Sequence, residues 1–171
     1  MSVNVTAVKI PHFVADNNGK YKATRALTEK QIVSAAKALL KKKFTKGQVF
    51  STPHVTGTYL MCQYANYEHE VFICIFLDNQ HQLIKEVEMF RGTIDSASVY
   101  PREVVKKALE LNAAAVIFAH NHPSGEATPS QADKNITEKL KKALDLVDIR
   151  SLDHIIIGGA KQYSFAESGL M

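Results

Sequence analysis

Two seven-residue runs, Val71–Leu77 and Ala113–Ala119, contain only apolar side chains, and they constrain the fold more than any other feature. The first is β-branched and aromatic and ends in Asp78-Asn79-Gln80, the signature of a buried strand followed by a turn. The second reads as a fully apolar strand over Ala114–Ala119. Both fall far short of the ~20 residues that a membrane-spanning helix needs, so no contact with a membrane is expected. The opening MSVNVTAVKI lacks a basic start followed by an apolar stretch, so it does not read as a secretory leader. Cys62 and Cys74 fit neither a disulfide framework nor a four-cysteine zinc site, which makes a reducing cytoplasm the expected location. With 171 residues, 46% of them hydrophobic, the chain can bury a core without such staples.

Helices are predicted between these strands. Thr28-Glu29-Lys30-Gln31 is a capping box opening a helix with Ile32, Ala35, Ala36, Leu39 and Leu40 as its apolar stripe. Lys41-Lys42-Lys43 crowd its last turn, where the helix dipole favours cations, and Gly47 closes the segment. Thr52-Pro53 is an N-cap followed by proline at the first helical position, so a second helix is predicted to about Gln63. Gln82–Phe90 reads as a strand returning against the first. Pro101 opens a helix with Val104, Val105, Ala108 and Leu111 on one face. Another helix is expected over roughly Ser130–Leu146, then strands over Asp153–Ile157 and Gln162–Phe165 around a Gly158-Gly159 turn. Strands alternating with helices point to a three-layer α/β/α fold. An N-terminal helical extension over 1–47 precedes the main domain at 48–171, and residues 1–24 read as an arm or hairpin.

The net charge of +4 is unevenly spread. Residues 1–50 hold ten Lys/Arg against two acids, +8, and residues 51–171 hold eleven against fifteen, −4. Basic residues 1–47 are therefore the candidate site of any DNA contact.

The chemistry concentrates in His120-Asn121-His122-Pro123-Ser124-Gly125-Glu126-Ala127-Thr128-Pro129-Ser130-Gln131-Ala132-Asp133. His120 and His122 stand two apart at a strand end, so both imidazoles leave one face and can close on one ion at about 2.0–2.1 Å. The loop then turns through Pro123 and Gly125 into a helix whose first turn can return Asp133 as a third ligand. Two histidines and a carboxylate leave a fourth tetrahedral position for water, the arrangement of a catalytic zinc. Ser130-x-x-Asp133 also reads as a capping box, while Thr128-Pro129 competes as the cap and would free Ser130 and Asp133 for other work.

This H-x-H-x7-S-x2-D pattern resembles the JAMM (MPN+) metalloprotease motif. Arg91-Gly92-Thr93-Ile94-Asp95-Ser96-Ala97-Ser98-Val99-Tyr100-Pro101-Arg102-Glu103-Val104-Val105, with Leu152-Asp153-His154 later, resembles the RadC-like branch of that family over about residues 50–171. The resemblance implies a cytidine-deaminase-like fold, Zn2+ as cofactor and hydrolysis of a peptide or isopeptide bond in an unidentified substrate. It also carries a traditional DNA-repair label. In the JAMM pattern a glutamate before an earlier strand acts as general base, and the matching position is Glu70; Glu68, Glu86 and Glu88 are its rivals. Ser130 would donate to the developing oxyanion. His154 is expected to be a buried histidine near the site, and Ser96 and Ser98 are candidate cleft residues. Deaminase chemistry is disfavoured, because it wants H-x-E and a later P-C-x-x-C, and neither occurs. Longer RadC-like proteins carry a helix-hairpin-helix module that residues 1–49, with one basic helix, do not reproduce. The competing function is a DNA-associated binding or scaffold protein without peptidase activity.

Overall fold

Strands with no polar side chain have to be covered on both faces, and they take the inner positions of a sheet. β3 (Val71–Leu77) and β5 (Ala115–Asn121) are buried at every residue and lie next to each other in a five-stranded sheet. A computed structural model of the chain describes residues 9–16, 18, 20–43, 49–50, 52–92 and 99–171. Gly47, Ser96 and Ser98 lie outside the described residues, as does part of the basic N-terminal segment.

β4 (Leu83–Arg91), β6 (Arg150–Gly158) and β7 (Lys161–Ser164) complete the sheet in the order β4-β3-β5-β6-β7. The sheet is mixed. β3 runs antiparallel to β4 and β5, β5 parallel to β6, and β6 antiparallel to β7. The β3–β4 hairpin turns on Asp78, whose Oδ1 accepts the backbone N–H groups of Gln80 and Gln82 at 2.8 and 2.9 Å.

α3 (Pro101–Glu110) and α4 (Gln131–Asp145) cover the face that carries Phe72, Cys74, Phe76, Val116 and Phe118. Val104, Ala108, Leu140 and Leu144 are their buried contributions. α2 (Pro53–Tyr64) is capped by the Thr52 hydroxyl, which accepts from Val55 N–H at 3.3 Å. Its Tyr59 and Tyr64 hydroxyls both donate to Glu86, which leaves β4 on the side opposite Val87 and the α3–α4 core. The result is a mixed α/β fold with helices on both faces of the sheet.

One strand boundary differs from its prediction, and the open choice of cap for α4 is decided. β6 begins at Arg150, three residues before the expected Asp153, because its parallel pairing with β5 already starts at Ala115 against Arg150. The polar Arg150 and Ser151 hide that start from a hydrophobic pattern. Thr128-Pro129 does not cap α4. Ser130 does, with its Oγ accepting Asp133 N–H at 3.2 Å while Asp133 Oδ2 accepts Ser130 N–H at 2.7 Å.

The chain divides into two compact units, Met1–Thr45 and Lys46–Met171. The first holds a small hairpin, β1 (Phe13–Ala15) with β2 (Tyr21–Ala23), and α1 (Glu29–Lys43). The predicted Thr28–Gln31 capping box forms in both directions. The predicted apolar stripe is not buried as a stripe: Ala35 is buried, Ile32 and Ala36 are exposed, and Leu39 and Leu40 are half-buried. A unit of this size has too little apolar surface to cover a whole helix face.

Leu140 is fully buried between α4 and the sheet. Leu140→Ala is expected to cost about 2–5 kcal/mol, read as a lower urea midpoint at unchanged slope.

Candidate metal centre

The site forms where β5 ends and α4 begins, so the connection between them determines its geometry. His120 is the penultimate residue of β5 and is buried to 1% exposure; His122 follows the strand directly. Period-two alternation sends both rings to one face, and their Nε2 atoms lie 2.9 Å apart. The loop reverses at Gly125, whose φ of +82° is open to glycine at little steric cost and whose N–H bonds His122 C=O at 3.0 Å. This turn presents the Glu126 carbonyl to His122 Nδ1 at 2.7 Å. A carbonyl only accepts, so Nδ1 carries the proton, and Nε2 of a neutral ring keeps its lone pair.

Gly158, at the end of β6, makes room for this loop. A Cβ there would lie 2.5 Å from Ala127 N and from the Glu126 carbonyl carbon, and the backbone cannot give way cheaply. The close approach keeps the Glu126 carbonyl against His122.

Asp133 enters from the first turn of α4. Its Oδ1 lies 3.2 Å from His120 Nε2, and its Oδ2 lies 3.6 Å from His122 Nε2. The capping and ligand readings of Asp133 therefore hold together. Oδ2 serves Ser130, and the carboxylate as a whole still faces both imidazoles. One donor atom each from His120, His122 and Asp133 falls within 4.8 Å of the others. The 2.9 Å between the two Nε2 atoms and the 3.2 Å from His120 Nε2 to Asp133 Oδ1 lie close to the edge of about 3.3–3.4 Å between ligands on a tetrahedral ion with bonds of about 2.0–2.1 Å. Two imidazole nitrogens and a carboxylate also form a donor set suited to zinc. The residues fit a metal ion.

A family model described as the RadC-like JAB domain matches residues 50–170. The chain belongs to that family. Two UPF0758 proteins of Vibrio cholerae serotype O1 are 53% and 52% identical to it over 150 residues, covering 88% of this chain and 94% and 95% of theirs. A UPF0758 protein of Nitrosococcus oceani is 59% identical over 126 residues, 74% of this chain and 56% of that protein. These names state no activity, so the chemistry of this RadC-like chain is argued from its own residues.

Glu70 stands just before β3. The β3–β5 ladder ends at the Phe72–His120 pair, two residues short of Glu70 and of His122, and the Glu70 charge favours the His122 cation. Its rivals are engaged or exposed: Glu86 accepts from Tyr59 and Tyr64, Glu88 pairs with Arg91 at 2.7 Å, and Glu68 faces solvent. Asn121, between the two histidines, ties the backbone around Glu70 to β5. Its Oδ1 accepts Val71 N–H at 2.8 Å and its Nδ2 donates to His69 C=O at 3.1 Å.

Asp133 raises the His122 pKa chiefly through their hydrogen bond, against the opposing effect of burial. Burial works against ionisation of Asp133, yet His120, His122 and Ser130 hold its carboxyl well below the usual carboxylate range. Burial pushes His154 well below the usual imidazole value. Its Nε2 meets His120 Nδ1 at 2.8 Å, and its Nδ1 meets Thr137 Oγ1 at 2.6 Å.

Asn121, Thr137 and Gly158 escape the sequence reading. Thr137 had a usable signal, since it lies four residues after Asp133 on the same helix face. Asn121 acts across the β3–β5 seam and Gly158 against the loop after β5, contacts that local spacing does not reveal. Among the described residues, no helix is long and apolar enough to cross a membrane.

Asn121 is buried to 1% exposure, and leucine is of similar bulk without its polar atoms. Asn121→Leu strands Val71 N–H and His69 C=O, at about 1–3 kcal/mol for each group. Urea unfolding is expected to show the loss, and a midpoint equal to that of the parent would show that the clamp carries no stability.

Proposed function

We propose that this RadC-like domain is a zinc-dependent hydrolase of the JAMM type, cleaving a peptide or isopeptide bond on a cytidine-deaminase-like three-layer scaffold. The convergence of His120, His122 and Asp133 at ligand spacing, with the Glu70 charge acting on His122, carries this reading. Zn2+ held by these three residues would acidify a water and polarise a carbonyl. Glu70 is the group to take the proton from the attacking water and return it to the leaving amine. Asn121 holds the backbone on both sides of that carboxylate, so Glu70 works from a fixed position. Ser130 is the candidate oxyanion donor. Its hydroxyl now donates to Asp133 Oδ2 at 2.7 Å, but Ser130 N–H also serves that oxygen at 2.7 Å. The hydroxyl can therefore turn to substrate without stranding the carboxylate.

Elemental analysis of the purified chain is expected to find about one zinc per molecule, lost in His120→Ala and His122→Ala. Glu70→Gln should keep the zinc and lower hydrolysis in a screen of peptide and isopeptide substrates by about 10²–10⁴-fold. A parent protein that takes up no zinc would overturn the reading.

The +8 balance of residues 1–50 supports a second, compatible reading, in which residues 1–47 contact DNA and bring the domain to it. Binding of duplex DNA should then fall steeply with salt and be lost on deleting residues 1–47. Equal affinity after the deletion would refute it.

A further inference from the structure

We propose that Thr137 and His154 are positioning residues that determine which nitrogen of His120 bears its proton, keeping the His120 Nε2 lone pair aimed at the metal position. The inference rests on the metal-site reading above, and it is carried by a chain of hydrogen bonds in which each donor can be identified.

The chain starts at a group that cannot donate. Thr137 Oγ1 lies 2.5 Å from Asp133 C=O, and a carbonyl only accepts, so the hydroxyl hydrogen points there. The same oxygen then has only lone pairs for His154 Nδ1 at 2.6 Å, so Nδ1 carries a proton and donates it. The His154 side chain is fully buried against the rings of Phe72, Phe118 and Phe165. Among the described residues no carboxylate bonds to its ring, and its full burial among aromatic rings favours the neutral form. A neutral ring with Nδ1–H has its lone pair on Nε2, which accepts from His120 Nδ1 at 2.8 Å. His120 is thereby left with its lone pair on Nε2, the atom 2.9 Å from His122 Nε2 and 3.2 Å from Asp133 Oδ1.

Asp133 stands at both ends of the relay. Asp133 anchors the relay through its carbonyl and faces the metal position through its carboxylate, so α4, β6 and β5 are tied into one arrangement. Without the Thr137 oxygen, His154 is free to place its proton on Nε2. His120 would then have to accept at Nδ1 and carry its own proton on Nε2, where it would block a metal ion. The competing account makes Thr137 a helix threonine bonded to the carbonyl four residues back and His154 a core ring, with packing as their whole role.

Two variants separate these accounts in the full-length chain. Thr137→Val keeps the shape and removes the oxygen; Thr137→Ser keeps the oxygen and removes a methyl. With zinc alone as the probe, in competition with a chromophoric chelator, Thr137→Val is expected to bind about 10–100-fold more weakly than the parent, the range for loss of a partner behind a ligating histidine. Thr137→Ser should stay close to the parent. The opposite order, with valine matching the parent and serine weaker, would overturn the relay in favour of packing. Nitrogen-15 NMR of the metal-free parent gives a second readout that needs neither variant to fold. It should find the His120 proton on Nδ1, and a proton on Nε2 alone would also overturn the proposal. If the parent bound no zinc, the hydrolase reading would fail, while the proton position would still decide the relay.

Discussion

The antiparallel register of β3 against β5 is the constraint on which the candidate centre depends. Both strands are buried on both faces, so hydrophobicity alone does not choose between registers, as it does for a strand with one wet face. A slip of one residue would send Glu70 to the side of the sheet away from His122. A slip of two would keep the side but shift Glu70 by about 6–7 Å along the strand. Asn121 adds a polar contact tied to the observed register. Its amide takes one N–H and one C=O of the partner segment in the observed register, and a slip would break both bonds unless the shifted backbone replaced them. A polar residue in an apolar strand thus does for this sheet what a lone buried asparagine does for a coiled coil.

The second constraint is the dual use of Asp133. A carboxylate at the third position of a helix ordinarily closes a capping box and is stabilised by the helix dipole. Here the same group also faces two imidazoles. The start of α4 and the arrangement of His120 and His122 are consequently one structural problem. Solvent cannot easily replace these contacts, because His120 is buried and Asp133 nearly so. Gly158 contributes from the far side: a side chain there would push on the loop carbonyl that orients His122.

Most of this was legible in the sequence where the information is local. The apolar runs marked β3 and β5, proline and threonine marked the start of α2, and the H-x-H and S-x-x-D spacings marked the residues that converge. What stayed hidden depends on contacts between distant segments. The early start of β6 comes from pairing with β5 and has no hydrophobic signature in Arg150 and Ser151. That Glu86 sits beneath two tyrosines of α2 is likewise a contact between distant segments. The α1 stripe misled for the opposite reason, since periodicity states which face could be buried and not whether anything covers it.

The distribution of roles over the topology has a further consequence. His120 and His122 come from β5 and its end, Asp133 and Thr137 from α4, and His154 from β6, so one strand–helix–strand unit supplies every residue argued to hold a metal or to orient its ligands. Glu70 alone comes from the preceding antiparallel hairpin, joined to that unit through the β3–β5 ladder and the Asn121 clamp. Metal holding and proton handling therefore belong to separate pieces of the fold that meet at one seam. On the proposed reading, disturbing the strand–helix–strand unit would remove the ion and the chemistry together. Disturbing the seam would leave the ion in place and displace the proposed base, so on the same reading hydrolysis could be lost while metal binding is kept.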